Sequence, residues 1–257
     1  MNLDLSGKTA LVCGASQGLG FAIAEALAAE GCRVGLLARN RAKLEAHAEA
    51  FAKRGLQAMA LPADMGDWAS LERVLKVFGL PSILVNNSGG PPPVDVTRID
   101  PDLWRRQFEI MVLNQMRLTE AVLPAMRAAR FGRVINVSST AVVEPIRGLA
   151  ISNALRAALA NWMKTLATDV ARDGITVNTI LPGSFATERI DGFNQREAEA
   201  RNIPIEQVVA ENSAAIPIGR YGDPREFGAV AAFLASPLAS YVTGQMIRVD
   251  GGATRSS

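Results

Sequence analysis

Between residues 8 and 249 the chain alternates short apolar, β-branched runs with longer stretches in which apolar positions recur every three to four residues. The first kind fits strands buried on both faces and the second fits amphipathic helices, so their alternation predicts βαβ units around a parallel sheet. Strands are expected over 9–13, 33–37, 57–61, 83–85, 133–137, 176–181 and 246–249, with helices over 19–30, 102–130 and 152–172. In the last of these, Leu155, Leu159, Met163 and Leu166 form a core-facing stripe. The segment 188–216 breaks the pattern, being polar and punctuated by Gly192 and Pro204 with Pro217 just beyond, and reads as a lid or helical insertion. No linker or repeat divides the chain, so one domain over 1–257 is expected, long enough to bury a sizeable core.

Composition removes several function classes. With 49% apolar and 20% charged residues, disordered, fibrous and disulfide-scaffold classes are out. Lys and Arg total 27 against 25 Asp and Glu, with no basic cluster of the kind that tracks a phosphate backbone, so nucleic acid is not an expected partner. Cys13 and Cys32 form no metal-ligand spacing and are expected to be reduced, and no metal site is expected. The first residues lack a signal-peptide pattern and no apolar run is long enough to span a bilayer, so a cytoplasmic protein without a membrane partner is expected.

The chemistry begins where the first strand ends. Gly14-Ala15-Ser16-Gln17-Gly18-Leu19-Gly20 follows Leu11-Val12-Cys13 and opens a helix. Glycines there let the backbone approach a pyrophosphate, whose charge the free amides of the helix N-terminus stabilise. The spacing is GxxxGxG, and no Lys-Ser or Lys-Thr follows that would make it a P-loop. About twenty residues past such a turn an acidic residue selects the ribose hydroxyls of NAD, whereas an arginine accommodates the 2′-phosphate of NADP. Here the sequence is Ala38-Arg39-Asn40-Arg41, which predicts NADP(H) in preference to NAD(H), with Arg39 at the phosphate and Ser16 and Asn40 as further candidates. An arginine at a helix start is electrostatically disfavoured without an anion.

With these residues in view the chain resembles the short-chain dehydrogenase/reductase family, and within it the 3-oxoacyl-acyl-carrier-protein reductase-like members, over almost its whole length. The resemblance is carried by CGASQGLG, Asp64-Met65, Asn86-Asn87-Ser88-Gly89, Pro182-Gly183 with Thr187, Thr243-Gly244 and Val249-Asp250-Gly251-Gly252. It implies an α/β Rossmann-like doubly wound parallel sheet of about seven strands in the order 3-2-1-4-5-6-7, with helices on both faces. It further implies that Asp64 and Met65 border the adenine, Asn87, Ser88 and Gly89 the adenosine ribose, and Pro182, Gly183 and Thr187 the nicotinamide amide. A homotetramer or homodimer is implied too, through helices carrying Trp104 and Trp162.

The family's reacting residues are a Ser after the fifth strand, a Tyr thirteen residues on, a Lys four further, and an Asn in the preceding helix. By this pattern Ser139 is kept, but Ser152 stands for the Tyr, Arg156 for the Lys and Met111 for the Asn, with Asn114 as a loose substitute. YxxxK has become SxxxR. Hydride transfer to a carbonyl builds negative charge on oxygen, which needs hydrogen-bond donors and a proton source. Ser139 can donate, Ser152 is a far weaker acid than a tyrosine, and Arg156 keeps the positive charge without a lysine's capacity to shuttle protons. Arg156 is also a candidate for holding the nicotinamide ribose or a substrate anion.

Two readings stay open. In one the chain is an oxidoreductase transferring hydride between NADP(H) and a small-molecule carbonyl or alcohol, anionic or acyl types included. In the other it is an NADP(H)-binding pseudoenzyme that senses ligand or binds a partner. Elsewhere, His47 reads as part of a solvated helix face, Cys13 as a small buried residue, and the proline run 91–93 as a stiff rim of the pocket mouth.

Overall fold

A strand covered by helices on both sides must be apolar on both, and the first strand shows it. In β1 (Thr9–Cys13), Ala10 and Val12 face one side of the sheet and Leu11 and Cys13 the other, all fully buried. The computed structural model describes residues 2–91 and 93–255; Pro92 of the proline run lies outside the described residues. Further strands are β2 (Arg33–Ala38), β3 (Ala58–Pro62), β4 (Ile83–Asn86), β5 (Gly132–Val137), β6 (Ile175–Pro182) and β7 (Met246–Val249). They pair in parallel in the order β3-β2-β1-β4-β5-β6-β7, the Rossmann-like arrangement expected.

Helices α1 (Gly18–Ala29), α2 (Arg41–Lys53) and α9 (Pro224–Ala235) close one face around Ile23, Leu27, Phe51 and Phe227. Helices α3 (Trp68–Phe78), α5 (Asn114–Ala128) and α6 (Ala150–Val170) close the other around Leu71, Leu118, Leu155 and Leu159. Contact between α1 and α9 is set by Gly228, where a Cβ would stand 2.6 Å from the Ala22 carbonyl oxygen. Among the described residues no helix is long and apolar enough to cross a membrane, and no cluster of metal-ligating side chains occurs.

One expectation changes in detail and another is narrowed to one of its alternatives. The single helix expected over 102–130 is divided into α4 (Pro101–Phe108), one π turn (Glu109–Leu113) and α5. The polar segment 188–216 is a helical insertion of α7 (Glu188–Arg201) and α8 (Ile205–Ala214). Lacking an apolar stripe, that insertion is joined by polar contacts, with Arg201 donating to Glu197 at 2.8 Å and Glu211 at 2.6 Å. Its entry is anchored in the core, since Phe185 packs edge-on against Phe227 with ring centroids 5.3 Å apart.

Candidate active site

The sheet order reverses between β1, which leads to β2, and β4, so a crevice opens at their carboxyl ends, where open α/β sheets bind ligands. Gly14 (φ +66°) and Gly18 (φ +59°) adopt left-handed conformations that favour glycine. Gly20 is required sterically: a Cβ would lie 2.3 Å from the Gly14 carbonyl oxygen and 2.7 Å from Asn87 Nδ2. Asn87 Nδ2 donates to the Cys13 carbonyl at 3.1 Å, tying the end of β4 to the end of β1. Gln17 provides no side-chain cap to α1, and no acidic residue stands in its first turn. Uncapped amides behind a glycine cradle suit a pyrophosphate.

Around this turn stand the other cofactor candidates. Arg39 is exposed and has no hydrogen bond or ion pair among the described residues. Asn40 Oδ1 accepts from the Lys43 amide at 3.0 Å, so its side chain caps α2. Asp64 Oδ1 accepts from the Gly66 amide at 2.8 Å, and buried Met65 accepts at its carbonyl from Asn114 Nδ2 at 2.7 Å. Asn114 therefore supports the 64–66 loop, which removes it as a substitute for the family's asparagine. Thr187 comes close to Gly18, its Cγ2 lying 3.7 Å from where a Cβ there would stand. Gly183 packs so tightly on Asp250 that a Cβ would come within 2.7 Å of that residue's Cβ, which seats the Pro182-Gly183 turn against the end of β7.

The candidate catalytic residues are organised by one guanidinium. From α6, Arg156 donates through Nε to Ser152 Oγ, through Nη1 to the carbonyls of Val137 and Ser138, and through Nη2 to the Ser88 carbonyl, each at 3.2 Å. Burial, with a smaller contribution from Arg189, pushes Arg156 down to about 10, so it stays cationic at neutral pH. Ser152 is buried and half-buried Ser139 accepts from the Ala141 amide at 3.1 Å, capping a short helical turn. Both hydroxyls thus accept one fixed hydrogen bond and keep their own proton to donate. Arg156 joins Ser152 to the β4 and β5 ends: three of its four hydrogen bonds go to main-chain carbonyls and one to Ser152, which leaves one Nη2 N–H for the ribose or substrate anion considered from sequence.

Sequence reasoning missed Gln115 and Lys43. Gln115 Nε2 donates to the Met111 carbonyl at 2.9 Å and to Ser88 Oγ at 3.1 Å, filling the widened turn below Arg156. The π turn that contains Met111 leaves no compositional mark, although such turns are frequent at functional sites. Lys43 Nζ reaches Gln17 Oε1 at 2.9 Å and Glu188 Oε1 at 3.4 Å, linking the glycine turn to the start of α7. His47 is also not on a solvated face: half-buried behind the turn, it lies 3.0 Å from the Ser16 carbonyl oxygen and packs on Phe21. Cys13 and Cys32 are both pushed up to about 12, chiefly by burial, which leaves the thiols protonated and unreactive.

Comparison with known proteins places the chain in a family. A family model described as enoyl-(acyl carrier protein) reductase matches residues 14–254. The 3-oxoacyl-[acyl-carrier-protein] reductase of Vibrio cholerae is 37% identical, over 97% of this chain and 98% of that protein. A sorbitol dehydrogenase of Cereibacter sphaeroides is 35% identical over the same shares. The structure of L-sorbose reductase from Gluconobacter frateurii, complexed with NADPH and L-sorbose, superposes over the full length of both chains with a TM-score of 0.94 at 31% identity. The chain belongs to the short-chain dehydrogenase/reductase family, resembling its 3-oxoacyl-acyl-carrier-protein reductase members.

If Arg156 is a main-chain clamp, Arg156→Met leaves the Ser88, Val137 and Ser138 carbonyls without their donor. Loss of about 2–4 kcal/mol of unfolding free energy is expected in urea denaturation without cofactor. Undiminished stability would show that those carbonyls do not depend on the guanidinium.

Proposed function

We propose that this chain is an NADP(H)-dependent oxidoreductase acting on a carbonyl or alcohol, with a reacting site built from Ser139, Ser152 and Arg156 in place of the Tyr and Lys of its family. When bound, NADPH supplies a hydride. The observation that carries the reading is the state of the two serine hydroxyls. Each has its acceptor side occupied, Ser139 by the Ala141 amide and Ser152 by the Arg156 guanidinium, so each is left as a donor for a substrate oxygen. A hydroxyl that accepts from a cation is a stronger donor than a free one. As hydride reaches the carbonyl carbon, Ser139 and Ser152 hydrogen-bond the developing alkoxide and Arg156 lowers its energy through space. The proton that completes the alcohol comes from solvent water through Ser152, leaving hydroxide in solution.

Cofactor contacts follow the turn and the strand ends. Gly14, Ser16, Gln17, Gly18, Leu19 and Gly20 hold the pyrophosphate; Arg39, with Ser16 and Asn40, selects the 2′-phosphate; Asp64 and Met65 border the adenine. Asn87, Ser88 and Gly89 line the adenosine ribose, and Pro182, Gly183 and Thr187 the nicotinamide amide. Support comes from the uncapped α1 amides and from Arg39, a cation with no partner among the described residues. The same reading expects self-association through the α4–α6 face, where Phe108 and Leu113 are exposed.

A second reading, an NADP(H)-binding protein without turnover, draws on the occupied donors of Arg156 and on Ser152 being a weak acid. Ser139→Ala separates the two. Loss of one oxyanion donor is expected to lower kcat for NADPH-dependent carbonyl reduction by about a hundredfold with little change in NADPH affinity. Equal rates in variant and parent would remove Ser139 from the reacting site. Arg39→Asp is expected to shift the ratio of kcat/KM for NADPH over NADH toward NADH by at least about tenfold, and an unchanged ratio would retire the role of Arg39.

A further inference from the structure

The first turn of α7 carries a cation where the helix dipole disfavours one. Arg189 is its second residue, and the nearby Glu188 carboxylate is engaged by Lys43. Arg189 itself has no carboxylate partner and no hydrogen bond among the described residues; its contact is the face of Phe193, 5.2 Å from the ring centroid. Arg196 lies over the same ring at 4.7 Å, and Asp191, the other acid of that first turn, makes no ion pair with either arginine among the described residues. Burial of the guanidinium and the charge of Arg196 lower the Arg189 pKa, and Arg189 in turn lowers that of Arg156.

Geometry fixes where the guanidinium points. Although the residue is exposed at the cleft mouth, its head lies on Gly90: a Cβ there would stand 2.7 Å from Nη2 and 3.4 Å from both Cζ and Nη1. Two residues earlier, the Ser88 carbonyl accepts from Arg156. The two arginines therefore flank one short turn at the end of β4, but Arg156 is engaged by main-chain carbonyls while the donors of Arg189 are free. The glycine turn meets α7 elsewhere, through Thr187 and Lys43.

We propose that Arg189 recognises an anionic group, a carboxylate or phosphate, carried by the substrate beside its reacting carbonyl. This rests on the oxidoreductase reading above. A planar guanidinium offers such a group two parallel hydrogen bonds, and an anion between Arg189 and Arg156 relieves the repulsion that the site otherwise stores. Neutral ketones gain nothing from it, so Arg189 sets substrate class.

Malonate, a non-reducible dicarboxylate, serves as the probe, titrated calorimetrically into the full chain saturated with NADP+. NADPH oxidation is followed in parallel with acetoacetate and with methyl acetoacetate, the same ketone without the charge. In Arg189→Met, malonate binding and kcat/KM for acetoacetate are expected to fall about tenfold to a hundredfold, with methyl acetoacetate and NADPH affinity unchanged and Arg189→Lys recovering part of the loss. Failure of malonate to bind the parent, or equal binding by Arg189→Met, would overturn the proposal. So would a parallel loss of NADPH affinity, which would assign Arg189 to the cofactor's phosphates. Arg189-dependent malonate binding with neither ketone reduced would keep the anion site and retire the oxidoreductase reading instead.

Discussion

The guanidinium of Arg156 is the constraint on which the reacting end depends. Strands β4 and β5 are neighbours, and the carbonyls of Ser88, Val137 and Ser138, at or just past their ends, converge on this one side chain. A buried main-chain carbonyl without a donor costs stability comparable to a lost hydrogen bond. One planar cation reaches three such carbonyls and Ser152 together. A lysine ammonium, a point charge with three donors, lacks that reach across two strand ends. The arginine at this place is thus a different solution to the same corner of the fold, not an equivalent residue.

Consequences follow outward. By fixing the Ser88 and Val137–Ser138 carbonyls, the clamp sets the backbone leading into Gly89–Gly90 and Ser139. By donating to Ser152, it turns that hydroxyl into a donor. Because burial brings Arg156 only to about 10, its charge is constant through the neutral range. A tyrosine-based site changes its proton inventory with pH; in the mechanism proposed for this chain the field is fixed and the proton comes from water. In the anion-site proposal Arg189 extends that field to the cleft mouth, where an anionic substrate group would balance it.

Much of this was readable from the chain. Strands of a buried parallel sheet are apolar on both faces, so Leu11–Val12–Cys13 and Ile83–Leu84–Val85 announce themselves without alternation. The edge strand β3 ends one residue later than expected because its last residue, Pro62, needs no donor on an open edge. The π turn at Glu109–Leu113 was not readable, since one extra residue per turn hardly disturbs an apolar stripe. Residue types at the site were legible, with Ser139, Ser152 and Arg156 standing at their motif positions, but partners were not. The charge and helix position of Arg156 are legible in the chain; only the fold shows that three of its hydrogen bonds go to main-chain carbonyls. Asn114 and His47 were misplaced for the same reason, their partners lying 49 and 31 residues away in the chain.

In the proposed mechanism Ser152 and Arg156 form a working site with a fixed charge and a solvent-derived proton. The pH dependence of kcat/KM for NADPH-driven carbonyl reduction tests it, with the parent beside the Ser152→Tyr/Arg156→Lys double variant. The parent is expected to turn over with a profile flat from about pH 6 to about pH 9, while the variant gains a limb that falls as its tyrosine titrates. A silent parent beside an active variant, or a parent profile with a titrating limb inside that window, would contradict it.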